Sequence, residues 1–409
     1  MGPGIVVVLT WLGAGDIVES AMAGGNYGYS LMWGFALCLI LRYLFVSLIA
    51  KYQLCNRRGE TVLAGLGRLH PLFALIVLTG TLLLTHGIGV FLLVGTAGIC
   101  VKVTGIGSIP VWGAGLALAV LLLVIRPHYR RIEVIFFVLA GALSVSLIGL
   151  AGWSGPSATG IVKGVLGLQV PETLGRFDAI YLMVAMVGAI AGSLGNLLYP
   201  YFMREKGWVT PGHRRVQKYD LILGIIVLIV LDLSIWVVGA EVLHPRNIQV
   251  VDLESLSLLL GETMGEAGSL LFYMGVFAAL FSSMVGNGSA YAVLIADAYI
   301  QLRPSAREAC GGDYKRHPSL RLATYWVVLS PLIWVFLGHS DFVGLTVTVN
   351  AAQVVVLPFL VAGIWILTAR RVHIGAEYRN RWWDNVLVGF LFAVAAVSGY
   401  FSAVKVLGL

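Results

Sequence analysis

Few residues in this chain have side chains suited to chemistry, and the first is Asp16 in the run Gly13-Ala14-Gly15-Asp16. A second unusual run lies at Gly188 and Gly192-Ser193-Leu194-Gly195-Asn196. Glycine costs ~1 kcal/mol against alanine in a helix, so two such clusters inside apolar segments mark either close helix packing or local unwinding. An unwound stretch offers backbone carbonyls and amides to a small ligand. A carboxylate midway through an apolar span is costly unless it is paired, protonated or facing water, which makes Asp16 a binding candidate. Glu19 and Ser20 lie one turn further on the same helical face and extend that polar patch, although Glu19 also fits a place near the headgroups. Asn350, with Thr346 and Gln353, is a further polar group at helical spacing. His86 in TLLLTHGIGVF and Asp232 in IVLDLSIW are titratable groups centred in apolar runs. Each reads as a proton carrier or as a hydrogen-bonded structural group. The chain carries no Walker motif, HExxH, CxxC or nucleophile elbow, and no enzymatic activity or resident cofactor is expected.

These residues must be held by membrane helices. Of 409 residues, 59% are hydrophobic and 11% charged, against roughly a quarter charged in soluble domains. Apolar runs long enough for a bilayer, which takes ~20 residues, recur along the chain. With Pro, Gly and charge as punctuation they predict about eleven spans, at 4–25, 29–54, 71–102, 110–126, 132–153, 177–202, 218–240, 267–299, 322–338, 342–369 and 383–407. A short interfacial helix is expected near 60–70. The two glycine clusters fall in spans 1 and 6, five spans apart. This predicts a single transmembrane domain of two inverted five-helix repeats, about 1–153 and 177–369, with an eleventh helix at about 383–407.

The net charge of +7 does not point to nucleic acid, because the basic residues sit in short clusters between spans. Alternate loops hold 21 of the 27 lysines and arginines. The positive-inside rule makes those loops cytoplasmic, placing the N-terminus inside and the C-terminus outside a cell membrane. The opposite side carries Glu241, Asp252, Glu254, Glu262 and Glu266. Arg42, midway along span 2, is expected to snorkel or pair with an acid. Ser282, Ser283, Asn287 and Ser289 form a polar face on span 8, which either lines a pathway or joins helices. Cys38 and Cys100 fall inside spans, and Cys55 and Cys310 fall in basic loops, so neither a disulfide nor a cysteine metal site is expected.

The stretch GAGDIVESAMAGGNYGYSLMW, Gly13 to Trp33, resembles helix 1 and the start of helix 2 of the NRAMP divalent-metal transporters. GNLLYPYFMREKGW from Gly195 resembles the second half of their helix 6, LFSSMVGNG from Leu280 their helix 8, and NAAQVVVLPF from Asn350 their helix 10. The resemblance implies an all-α LeuT-like fold with helices 1 and 6 broken, alternating access, and import of a cation alongside protons. It is incomplete at the metal ligands. Where the family has Asp-Pro-Gly-Asn, this chain has Gly13, Ala14, Gly15 and Asp16; where it has Met-Pro-His-Asn, this chain has Ser193, Leu194, Gly195 and Asn196. Ile190 stands at the carbonyl-donating alanine and Gln353 at the helix 10 glutamine. The paired carboxylates of the family's helix 3 proton route are missing, with Gly89 and Leu92 near those places.

Losing methionine removes the soft ligand that favours transition metals. An oxygen-only set from Asp16, Ser193, Gln353 and the carbonyls of Gly13 or Ile190 suits Mg²⁺ or Mn²⁺, with some waters kept. The expectation is therefore an NRAMP-related divalent-cation transporter, proton-coupled through His86 or Asp232, with membrane lipid as its surroundings. The alternatives are a transporter of a non-metal solute on the same scaffold, or a sensor that has kept the fold without transport.

Overall fold

The structure is a computed structural model that describes residues 14–125, 130–173, 176–339 and 341–407. It is all-helical there. The helices are α1 (Ala14–Tyr27), α2 (Met32–Cys55), α3 (Val62–Leu69), α4 (Pro71–Thr104), α5 (Ile109–Ile125), α6 (Arg130–Trp153), α7 (Ala158–Leu166), α8 (Ala179–Met186), α9 (Tyr199–Glu205), α10 (Arg214–Val238), α11 (Leu253–Leu302), α12 (Pro304–Ala309), α13 (Ser319–Leu329), α14 (Leu332–Phe336), α15 (Phe342–Gln353), α16 (Leu357–Ala369), α17 (Arg371–Ile374) and α18 (Trp382–Leu407). Among the described residues eight segments are long and apolar enough to cross a membrane, and the bent pair Val138–Trp153 and Ala158–Leu166 makes a ninth. The shorter α5 and the described part of the first span complete eleven segments at the expected positions. Apolar side chains such as Leu83, Val145, Leu322 and Phe336 point outward, as lipid-facing residues do. The protein is a multi-pass membrane protein.

Local chemistry sets the interruptions. The short helix α3 is capped by Thr61, whose hydroxyl accepts from the Ala64 amide at 3.1 Å. The sixth span ends its regular turns at Met186, widens through a π-helical turn at Val187–Ala191, and passes through Ser193 at φ −56°, ψ 126° into a 3₁₀ turn at Leu194–Leu198 before α9. The tenth span, expected to run unbroken over 342–369, also breaks. Pro358 has no amide for the Val354 carbonyl, so α15 stops at Gln353 and four i→i+3 bonds carry the chain to Leu357. Asp252 and Ser255 form a reciprocal cap that starts α11 within the expected acidic loop, and Gly265 at φ 63° turns it into the eighth span.

Helix contacts rest on small residues, because lipid gives no hydrophobic drive for helices to associate. A side chain at Gly24 would press on the Trp236 carbonyl, and one at Gly239 would come 2.8 Å from the Gly25 amide, so α1 lies directly on the end of α10. Gly188 meets the Asn350 carbonyl in the same way and brings the sixth span against α15. These two close approaches bring α1, α2, α10, α15 and the broken sixth span around one interior point.

Candidate functional site

At that point lies a cavity of about 70 Å³. Gly15 and Asp16 line it from α1, Arg42 from α2, Ala189 and Ser193 from the broken sixth span. Ser283, Asn287 and Tyr291 line it from α11, at helical spacing, and Asn350 and Gln353 from α15. Ile88, Phe91 and Leu92 of α4 supply an apolar wall. The structure thus brings Asp16, Ser193, Asn350 and Gln353 together from three segments far apart in sequence. Gly13 lies outside the described residues.

Asp16 lies near the start of the described part of α1 and is buried. Ser193 sits at the break itself. Its hydroxyl accepts from the Gly195 amide at 3.3 Å and hydrogen-bonds the Tyr291 phenol. On the opposite side a chain of amides runs behind the cavity wall. Asn350 Nδ2 donates to Glu19 Oε1 at 2.8 Å, and Gln353 Nε2 donates to Asn350 Oδ1 at 2.9 Å. With its nitrogen so held, Gln353 leaves Oε1 buried and without a hydrogen-bond partner. An unsatisfied buried acceptor costs ~1–3 kcal/mol, so this oxygen sits where a cation or water is wanted.

Arg42 alters the electrostatics. Expected to snorkel or pair, it is buried, lines the cavity, and lies within electrostatic reach of Asp16 and Asp232. Asp232 is fully buried on α10, with both carboxylate oxygens lacking a hydrogen bond and with Asp16, Arg42 and Glu19 as its charged neighbours. Glu19, also buried, feels Asp16. Asp16 and Asp232 therefore share one guanidinium in a low-dielectric interior, with Glu19 close to Asp16.

Several candidates take other places. Glu19 does not line the cavity and reaches it only through Asn350, while Ser20 is buried without lining it. Ile190 does not line it either, and its carbonyl accepts from Asn196 Nδ2 at 3.3 Å. The same nitrogen donates to the Ala191 carbonyl at 2.9 Å, so Asn196 ties off the widened turn instead of facing the cavity. His86 is removed from the site. Its Nε2 accepts from Trp334 Nε1 at 2.5 Å, which leaves Nδ1 to donate to Ser330 Oγ at 2.9 Å. Both ring nitrogens join α4 to the ninth span. Tyr291 and the cavity role of Arg42 were missed by sequence reasoning. The signals were the i, i+4, i+8 spacing of Ser283, Asn287 and Tyr291, and the place of Arg42 midway along its span, too deep for snorkelling.

Comparison with known proteins agrees with this architecture. The Eremococcus coleocola manganese transporter superposes with TM-score 0.80 at 18% identity, over 98% of this chain and 85% of that one. Mhp1, a nucleobase-cation-symport-1 family transporter, gives TM-score 0.54 at 11% identity over 100% and 92% of the two chains. The fold is the LeuT-like one these transporters share. In sequence, the metal transporter nramp1 homolog of Dictyostelium discoideum is 22% identical over 402 residues, covering 95% of this chain and 72% of that protein. The divalent metal cation transporter MntH of Bacillus subtilis is 23% identical over 309 residues, covering 70% and 68%. The family model described as natural resistance-associated macrophage protein-like matches residues 4–405, nearly the whole chain, and the chain belongs to the Nramp family.

Proposed function

We propose that this protein is a secondary active transporter, not an enzyme, that imports a divalent cation, Mg²⁺ or Mn²⁺ in preference to softer metals, and couples it to protons. Its N-terminus lies in the cytoplasm and its C-terminus outside. The two repeats, about 1–153 and 177–369, move against each other around the cavity, with 383–407 as an added helix. Gln353 Oε1 is the observation that carries this reading: it is an acceptor without a partner, held in place by Asn350 and Glu19, in one cavity with Asp16 and Ser193.

Two magnitudes support a cation. A water needs ~10–15 Å³, so a cavity of about 70 Å³ holds a few waters or a small ion with part of its shell. Organic ligands ordinarily occupy ~300–1,000 Å³. Asp16 brings a carboxylate to the cavity wall, with Glu19 and Asp232 buried beside it, so a bound cation has an acidic group to meet. The side chains that line the cavity offer oxygen and nitrogen but no sulfur, and only oxygen acceptors of the kind that hard cations take. Asp232, next to these carboxyls, is the proton carrier. His86, with both nitrogens bonded, is not.

Purified protein in liposomes, given an inward proton gradient, should take up Mn²⁺ or Mg²⁺; uptake of neither overturns the proposal. Arg42 favours one second reading, a transporter of a small solute bearing a carboxylate, since a guanidinium facing a cavity pairs with such groups. A thermal-shift screen separates the two. Stabilisation by divalent ions supports the first, and stabilisation only by amino or organic acids supports the second.

A further inference from the structure

A second, larger cavity of about 530 Å³ lies at the end of α2, the start of α10 and the loop into α18, and it shares no lining residue with the site above. We propose that it binds the headgroup of an anionic phospholipid. Five basic side chains face it, Lys51, Arg214, Lys218, Arg379 and Arg381, against two acids, Glu377 and Asp384. The excess of three positive charges calls for an anion.

These cations are not consumed by internal pairing. Among the described residues Lys51 alone has a carboxylate in ion-pair range, Asp384 at 3.4 Å, and it also donates to Asn380 Oδ1 at 2.9 Å. Arg214 is held in place by neutral partners, with Nη2 donating to Ser47 Oγ at 3.0 Å and Nη1 to Gln217 Oε1 at 2.5 Å. Arg381 lies over the Trp383 ring at 5.1 Å. The cavity is built, with anchored groups at its base and exposed Lys218 and Arg379 at its rim.

Its surroundings identify the anion as a lipid's. Trp382 and Trp383 are exposed beside it, as aromatic residues are at a membrane interface. Leu44, Leu48, Leu387 and Val388 make part of its wall, and exposed Val386 and Phe390 continue along α18 as a surface for an acyl chain. A phosphate held by the basic groups with its tails along this apolar strip satisfies both halves of the cavity, whereas a free phosphate uses only one. Basic pockets between spans on the positively charged face bind anionic headgroups on these terms.

The test uses the full chain, purified and stripped of lipid, with native mass spectrometry counting bound phosphatidylglycerol, phosphatidylcholine or inorganic phosphate. Phosphatidylglycerol should bind and phosphatidylcholine should not. The variant K218Q/R379Q/R381Q should weaken phosphatidylglycerol by on the order of a hundredfold, at roughly fivefold per basic residue. R303Q/R321Q, on the same basic face but outside the cavity, should leave it unchanged. Should the triple variant fail to fold, cross-linking of a photoreactive phosphatidylglycerol to wild-type protein decides instead, with labelling expected on residues 377–390. Equal binding of phosphatidylcholine, full displacement by inorganic phosphate, unweakened binding by the triple variant, or labelling elsewhere overturns the proposal.

Discussion

Replacing Asn350 by alanine tests how the site is held together. The substitution removes the 2.8 Å bond to Glu19 and the 2.9 Å bond from Gln353 at once, without touching Asp16 or Ser193. A hydrogen bond to a charged group contributes ~1.5–3 kcal/mol and one between neutral groups ~0.5–1.5 kcal/mol, so the fold loses roughly 2–4 kcal/mol. Gln353 then keeps its oxygen but not its aim. Loss of a group that orients a metal ligand typically lowers affinity ~10–100-fold. Asn350→Ala should therefore weaken Mn²⁺ binding by about that factor, measured by titration calorimetry on protein in nanodiscs, and Gln353→Ala should weaken it at least as much. If Asn350→Ala unfolds, Asn350→Gln, which keeps the amide but shifts its reach, reads the same geometry. Unchanged affinity in Asn350→Ala beside a large loss in Gln353→Ala would refute the orienting chain, and unchanged affinity in both would refute Gln353 as a donor.

Further outcomes follow from the same contacts. Arg42→Gln removes the guanidinium shared by Asp16 and Asp232; breaking a buried pair costs ~3–5 kcal/mol, so the apo protein should melt lower while the stabilisation added by Mn²⁺ grows, and a smaller metal effect on melting would count against Arg42 as the counter-charge of Asp16. Asp232→Asn should leave Mn²⁺ binding within a few-fold and abolish metal-driven proton flux in liposomes followed with a pH dye; intact flux would end the relay role of Asp232. Gly188→Ala sets a methyl against the Asn350 carbonyl, backbone that has nowhere to move, and should destabilise by ~1–3 kcal/mol in thermal unfolding, while Gly115→Ala, in open space inside α5, should be neutral or stabilise by up to ~1 kcal/mol. At the edge of the membrane, burial alone would raise the Glu60 carboxyl, but hydrogen bonds from Arg68 and Tyr52 outweigh it and hold the group below its ordinary value of 4.5. Its contribution is then present above that value and lost as pH falls through the lower folded one, and Glu60→Gln should flatten this acid limb of the stability profile.

The spans were legible because a bilayer demands long apolar helices, and the break in the sixth because Gly192 and Ser193 sit in an otherwise regular apolar run. The break after Gln353 was not read, although its cause, Pro358, stands in the sequence; the ring disrupts the turn four residues back, next to Gln353. Asp16 and Ser193 were recognisable as polar groups in glycine clusters, and Gln353 by its spacing from Asn350 and its match to the family's helix 10 glutamine. Ile190 and Asn196 were misplaced because the asparagine amide satisfies the turn's own carbonyls, a local contest that residue type does not decide. The surroundings of Arg42 come from α1 and α10, and only the close helix contacts at Gly24 and Gly239 bring those charges to it.

The most direct measurement is a structure determined with Mn²⁺, using its anomalous signal. One peak is expected in the cavity, within roughly 2.0–2.6 Å of an Asp16 oxygen and of Gln353 Oε1. A peak elsewhere, or none at a concentration that saturates transport, would contradict it.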